Sequence, residues 1–220
     1  MHAWRLAQTE IDISKYDALI AVGGDGTLHE VVNGLMNRSD GKQIPIAFIP
    51  NGSGNDTCYG LGVTTVDQAI DFILKGETIK MDLNRVYMDA DNEEQIQVSE
   101  RTNRTRYSVI NASIGYIAKV VHLGNSHKKY VGSLCYTTAG FVELAGRLRA
   151  EDFEMELDCG NGNKLTIPVL SSQIFMIMNG KFGGSHMPFS PMALMNDGLL
   201  DFMCLKGHFN HIFAALYMLN

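Results

Sequence analysis

Hydrophobic positions change their period several times along the first third of the chain. Ala18-Leu19-Ile20-Ala21-Val22 is a continuous apolar run of strand length, which predicts a buried strand over Tyr16 to Val22. Leu28, Val31, Val32, Leu35 and Met36 then fall at i, i+3, i+4, i+7 and i+8, so Thr27 to Asn37 reads as an amphipathic helix. Ile44 to Ile49 is a second apolar strand ending at Pro50. Val66, Ala69, Ile70, Ile73 and Leu74 mark a second helix, closed by Gly76. Thr27 with Glu30, and Thr65 with Gln68, each have the spacing of a capping box, in which two side chains satisfy each other's backbone donors. Strands alternating with helices at these lengths predict a parallel sheet covered by helices.

The pattern changes at about Ile79. Thr78 to Tyr87 and Arg106 to Ile114 are rich in β-branched and apolar residues and flank a polar hairpin tip, Asp89 to Arg104. Phe153 to Leu157 and Leu165 to Leu170 flank Asn161-Gly162-Asn163, a hairpin signal. Gln173 to Met178 and Leu199 to Leu205 add two strands, and a single helix is expected over Tyr130 to Arg149. The expected fold is therefore α/β, with an N-terminal parallel nucleotide-binding domain at 1–78. A mostly antiparallel, β-sandwich-like domain follows at 79–220 and would hold the substrate.

Candidate chemistry sits where the first two strands end. Gly23-Gly24-Asp25-Gly26-Thr27 follows the first strand, and Asn51-Gly52-Ser53-Gly54-Asn55-Asp56 follows the second. Ligands of parallel sheets bind beyond the carboxyl ends of the strands. Glycines let backbone N–H groups approach a phosphate, and a helix N-terminus adds unpaired donors. Ser53 can donate its hydroxyl to a phosphate oxygen. Asp25 would repel a phosphate unless it carries a metal or takes a proton from an attacking hydroxyl, which points to phosphoryl transfer. Either loop alone could be an ordinary turn, but two in succession should flank one crevice.

Composition narrows the class. The chain has 220 residues, 45% hydrophobic and 19% charged, with a net charge of −6 that argues against nucleic acid as the main partner. No apolar run reaches the roughly 20 residues of a membrane span, and the start lacks the apolar core of a signal peptide. Cys58, Cys135, Cys159 and Cys204 are scattered singly, as expected of reduced thiols in a cytosolic protein. Neither end carries a helix cap, so the chain reads as a fragment of a longer protein. His29 falls on the polar face of its helix, and His122, His127 and His186 share no metal-ligand spacing.

The ordered series of motifs resembles the catalytic domain of the diacylglycerol kinase and sphingosine kinase family, nearest its bacterial branch. Besides the two glycine loops, it includes Met81-Asp82-Leu83, Asn111-Ala112-Ser113-Ile114-Gly115, Asn179-Gly180-Lys181-Phe182-Gly183-Gly184, and Asn196-Asp197-Gly198-Leu199-Leu200-Asp201. The resemblance implies an ATP-dependent lipid kinase that moves the γ-phosphoryl group to the hydroxyl of diacylglycerol or a related lipid. Gly23, Gly24, Asp25, Gly26, Thr27, Glu30, Gly52 and Ser53 would surround the ATP phosphates, and Asp25 would be catalytic, through Mg2+ or as proton acceptor. It implies a substrate-side role for Asp82, and a structural Mg2+ held by Asp197 with the carbonyls of Leu194 and Leu199. In the full-length parent, Asp25→Asn is then expected to cut turnover at least about a hundredfold while sparing the fold. Implied partners are ATP, a membrane lipid, transient contact with a membrane surface and a second copy of the chain; the implied location is cytoplasmic, peripheral to the membrane. The family's Asn-Pro-x-Ser-Gly loop and its terminal Asp-Gly-Glu segment have no counterpart here, and Gly184-Ser185-His186-Met187 replaces a commoner glycine-rich sequence. The chain by itself is expected to be inactive. Alternative readings are an NAD kinase-type enzyme and a non-catalytic lipid-binding fragment.

Overall fold

The structure, a computed structural model, describes residues 2–87, 105–145, 150–158 and 162–206. The hairpin tip expected at 89–104 and the apolar segment after 207 lie outside them. By contacts the chain forms two compact units, Met1–Ala112 with Met178–Asp201, and Ser113–Ile177 with Phe202–Asn220.

In the first unit, α1 (His2–Arg5) runs into a wider π turn at Leu6–Glu10. Strand β1 (Leu19–Gly23) pairs in parallel with β2 (Ile46–Pro50), in a register that sets Gly23 opposite Pro50. Helix α2 (Asp25–Met36) buries Leu28, Val31, Val32 and Leu35 against Ala7, Ile13, Ala21 and Val109. This is the apolar stripe that the spacing predicts. Two devices fix α2 in place. Gly34 lets α1 approach, because a Cβ there would stand 2.5 Å from the Trp4 carbonyl oxygen. Asn33, fully buried, acts like a piece of strand: its Nδ2 donates to the Tyr107 carbonyl at 2.7 Å and its Oδ1 accepts from the Tyr107 N–H at 2.8 Å. One buried amide thereby satisfies both polar backbone groups of a residue 74 positions away. Tyr107 belongs to β4 (Thr105–Ser108), which pairs antiparallel with β3 (Asn84–Tyr87).

Helix α4 (Val66–Lys75) starts and stops where expected, but its capping box is half formed, because Gln68 Oε1 accepts from the N–H and hydroxyl of Thr64 and not from the Thr65 N–H. Thr65 Oγ1 accepts from the Gln68 N–H at 3.2 Å, and Gly76 closes the helix in the left-handed region at φ 68°. The capping box expected at Thr27 and Glu30 does not form. The N-cap of α2 is Gly24, three residues earlier, and the Glu30 carboxylate accepts from the N–H groups of Ala3 and Trp4. The unpaired donors at the start of α1 outcompete the local partner.

In the second unit, β5 (Asn111–Gly115), β7 (Lys164–Met178) and β6 (Glu151–Asp158) lie side by side in that order, and β8 (Asp201–Lys206) pairs with β7. β6 and β7 form the expected antiparallel hairpin around Gly162, which takes φ 77°. The two strands expected at 165–170 and 173–178 are one strand of 15 residues. The helix expected over Tyr130 to Arg149 is α6 (Cys135–Ala145), with 146–149 outside the described residues, and a helix that was not expected, α5 (Tyr116–Val131), precedes it across a 3-10 turn. Gly124 in the middle of α5 resembles a breaker in the sequence. Its missing side chain admits the Tyr136 ring of α6, whose Cδ1 lies 2.5 Å from where a Cβ would be. Parallel pairing thus precedes antiparallel pairing along the chain, as the α/β reading predicts. Among the described residues, no helix is long and apolar enough to cross a membrane.

Candidate active site

The two glycine loops leave the same end of β1 and β2. The Asn51 N–H donates to the Gly23 carbonyl at 2.7 Å, which continues the ladder one step beyond the strands. The loops then touch through their backbones. A Cβ on Gly52 would overlap the Cα of Gly24, and a Cβ on Gly24 would stand 3.1 Å from the Cα of Gly52. Thr27 leans back over the first loop, with Oγ1 2.5 Å from the Cβ position of Gly23. The second loop is closed by Asn55, whose Oδ1 accepts from the Gly52 N–H at 2.8 Å and whose Nδ2 donates to the Gly52 carbonyl at 2.9 Å. Asn55 takes φ 58°, a conformation that asparagine tolerates better than most residues. Ser53, at the tip, is exposed.

Asp25 joins the loops. Its Oδ2 accepts from the Asp56 N–H at 3.0 Å, and its Oδ1 accepts from both the N–H (3.0 Å) and the hydroxyl (2.8 Å) of Thr57. The first-loop carboxylate therefore caps the short helix α3 (Asp56–Gly60) that opens after the second loop. This departs from a carboxylate standing free for chemistry. A carboxylate offers about four lone-pair directions, and three are taken. The remaining one is on Oδ2.

Asp56, which the sequence reading quoted only as part of its loop, is a second carboxylate of the site. It is buried, and burial pushes its carboxyl above the ordinary range. The His186 N–H opposes that shift and the nearby Asp25 charge adds to it. The Cβ position of Gly54 lies 3.4 Å from Oδ2 of Asp25 and of Asp56 alike, so these two oxygens flank the same glycine. Its sequence signal was an acidic residue closing a glycine loop and opening a helix.

Asp82 and Asp197 make a second group of contacts. Asp82 Oδ2 accepts from the Gly198 N–H at 2.8 Å, and the Asp82 N–H donates to the Met195 carbonyl at 2.7 Å. Asn179 Nδ2 donates to the carbonyls of Asp82 and Val109. Asp197 Oδ1 accepts from the Leu199 N–H at 3.0 Å, an Asx turn, with Gly198 at φ 72°. A pocket of about 290 Å³ lies between Asp82, Arg85, Gly198 and Leu200.

Residues 2–86 match the diacylglycerol kinase catalytic domain. The chain carries a diacylglycerol kinase-like domain. It is 27% identical over 203 residues to a diacylglycerol kinase of Bacillus subtilis, covering 91% of this chain and 58% of that protein. It is 35% identical over 148 residues to sphingoid long-chain bases kinase 1 of Arabidopsis thaliana, covering 65% of this chain and 18% of that protein. A crystal structure of a diacylglycerol kinase from Bacillus anthracis shares the fold, with a TM-score of 0.61 and 22% identity over 98% of this chain and 62% of that one. The chain thus spans less than two thirds of the length of these relatives.

The residues present fit a nucleotide with its cation. Neither Gly24 nor Gly52 has room for a Cβ, so bare backbone lines the meeting of the two loops, and the remaining lone pair of Asp25 Oδ2 is an oxygen donor of the kind that suits Mg2+. Among the described residues, no group of three or more His, Cys, Asp or Glu side chains forms a metal centre by itself. Magnesium that arrives with ATP needs only one or two protein carboxylates, because phosphates and water supply the rest.

Proposed function

We propose that the domain belongs to an ATP-dependent lipid kinase that transfers the γ-phosphoryl group to the hydroxyl of a membrane lipid of the diacylglycerol type. The observation that carries this reading is the backbone contact of Gly24 with Gly52 at the ends of two neighbouring parallel strands. Residues Gly23 to Gly26 with their N–H groups, and Thr27 and Ser53 with their hydroxyls, would hold the ATP phosphates, while Gly52 shapes the second loop beside them. Asp25 would hold the second loop in place and offer its free Oδ2 position to magnesium. Bound magnesium would neutralise charge on the transferring group. Glu30, engaged with α1, would serve the phosphates by fixing the start of the chain on α2. The portion from 79 onward would supply the lipid side, with Asp82 facing the substrate. Asp197 with the carbonyls of Leu194 and Leu199 would hold a structural Mg2+. The enzyme would work at the cytoplasmic surface of a membrane.

Incubation of the intact protein with labelled ATP and Mg2+ against a panel of diacylglycerol, sphingoid bases and NAD tests this reading. Label in a lipid fraction is the expected result; label in NADP, or in no acceptor, would overturn it.

Ser53 offers a sharper local test. Ser53→Asp should weaken ATP binding at least about tenfold, since a second negative charge within about 4 Å of a phosphate costs several kcal/mol before screening. Ser53→Thr keeps the hydroxyl and should change affinity less than about threefold. Equal affinities of wild type and Ser53→Asp in a calorimetric titration would reduce the loop to a turn.

A further inference from the structure

Two consecutive non-glycine residues, Ser185 and His186, take left-handed backbone conformations, at φ 69° and 72°. Each such residue is destabilising by about 1 kcal/mol or more unless its surroundings impose it. Here both N–H groups converge on one carboxylate. The Ser185 N–H donates to Asp56 Oδ2 at 3.2 Å and the His186 N–H to Asp56 Oδ1 at 2.6 Å, across about 130 residues of sequence. Successive N–H groups of a turn can converge on one anion, and here an internal carboxylate takes that place. The turn is closed behind them by reciprocal 3.0 Å bonds between Gly183 and Met187. The His186 ring stacks on Tyr59 of α3, with centroids 4.0 Å apart and planes 19° apart. Asp56 and Tyr59 thus meet the same turn from one short helix, itself capped by Asp25.

The geometry points to Asp56 as a positioning residue whose carboxylate holds Ser185 and His186 in their left-handed turn and so fixes that turn against the helix that follows the second glycine loop. Two carboxylates then act in series. Asp25 takes the amides of Asp56 and Thr57, and Asp56 takes those of Ser185 and His186. Three segments far apart in sequence become one frame. An amide cannot replace the second carboxylate, because it accepts at one atom only and turns its own N–H groups toward another donor. The functional meaning of this frame rests on the nucleotide reading given above.

A four-variant cycle separates the two. Asp56→Asn is expected to lower the melting temperature by about 4–8 °C and to speed amide exchange at 185 and 186 at least about tenfold. With Ser185→Gly and His186→Gly together, the turn no longer needs an imposed conformation. Asp56→Asn should then cost less than half as many degrees. An equal cost in both backgrounds, or unchanged exchange at 185 and 186, overturns the proposal. If Asp56→Asn does not fold, recovery of folding in the glycine background is the expected result, and failure in both backgrounds overturns it. Calorimetry with ATP and Mg2+ reads the positioning role. Asp56→Asn should weaken affinity about tenfold, with at least partial rescue by the glycine pair; unaltered affinity contradicts that role. A wild type that binds no ATP refutes the nucleotide reading, while the melting and exchange cycle still decides the clasp.

Discussion

In the intact parent protein, Asp25→Ala is expected to lower the unfolding free energy by about 3 kcal/mol and to reduce phosphoryl transfer by at least about a hundredfold. The stability term follows from three bonds to one carboxylate, two of them from backbone N–H groups at the start of α3. Hydrogen bonds to a charged acceptor contribute about 1.5–3 kcal/mol each, and partial exposure with non-additivity reduces their sum. The catalytic term follows from the loss of a group placed to act on magnesium and from the release of the second glycine loop. Asp25→Asn should show a smaller version of both effects, about 1–2 kcal/mol in stability, because its amide nitrogen must face a donor. This revises the expectation that an amide would spare the fold. Denaturant unfolding and turnover measured on the same preparations check both terms, and wild-type stability in Asp25→Ala would contradict the clip.

Gly52→Ala is expected to destabilise the protein by about 2–4 kcal/mol and to abolish measurable ATP binding. A methyl group there overlaps the Cα of Gly24 and lies 2.9 Å from Asn55 Oδ1, so it meets backbone and a closed amide ring that cannot yield separately. Such overpacking forces a backbone shift. Since the obstructed atom belongs to the other loop, both loops must move. Chemical denaturation together with calorimetry measures the two effects, and a variant with native stability and native affinity would show that the loops do not touch.

How much of this was legible beforehand depended on the range of each interaction. Helix α4 was readable to the residue because Thr65 and Gly76 act within a few positions of themselves. The apolar stripe of α2 was readable for the same reason. Its start was not, since Glu30 is drawn to the amides of Ala3 and Trp4 on another helix. Helix α5 was hidden by Gly124, whose purpose, admitting Tyr136, is visible only when α6 is in place. The glycine loops announced a phosphate site by composition. The role of Asp25 as a clip on residues 31 and 32 positions away, and of Asp56 on a turn 129 and 130 positions away, is carried by contacts that no local pattern encodes.

Gly26 isolates the central claim, that these loops exist to hold phosphate. A Cβ at Gly26 would meet nothing within 4 Å, and the residue lies in the first turn of α2, where its backbone is ordinary. Packing therefore gives no reason for a glycine, and alanine should raise helix stability by up to about 1 kcal/mol. If the first loop cradles a phosphate, the added methyl intrudes where the ligand approaches. The deciding measurement is a calorimetric titration of Gly26→Ala with ATP and Mg2+, alongside its melting temperature. The account predicts a melting temperature at or above wild type with affinity lowered at least about tenfold. Unchanged affinity in the equally stable variant would contradict it.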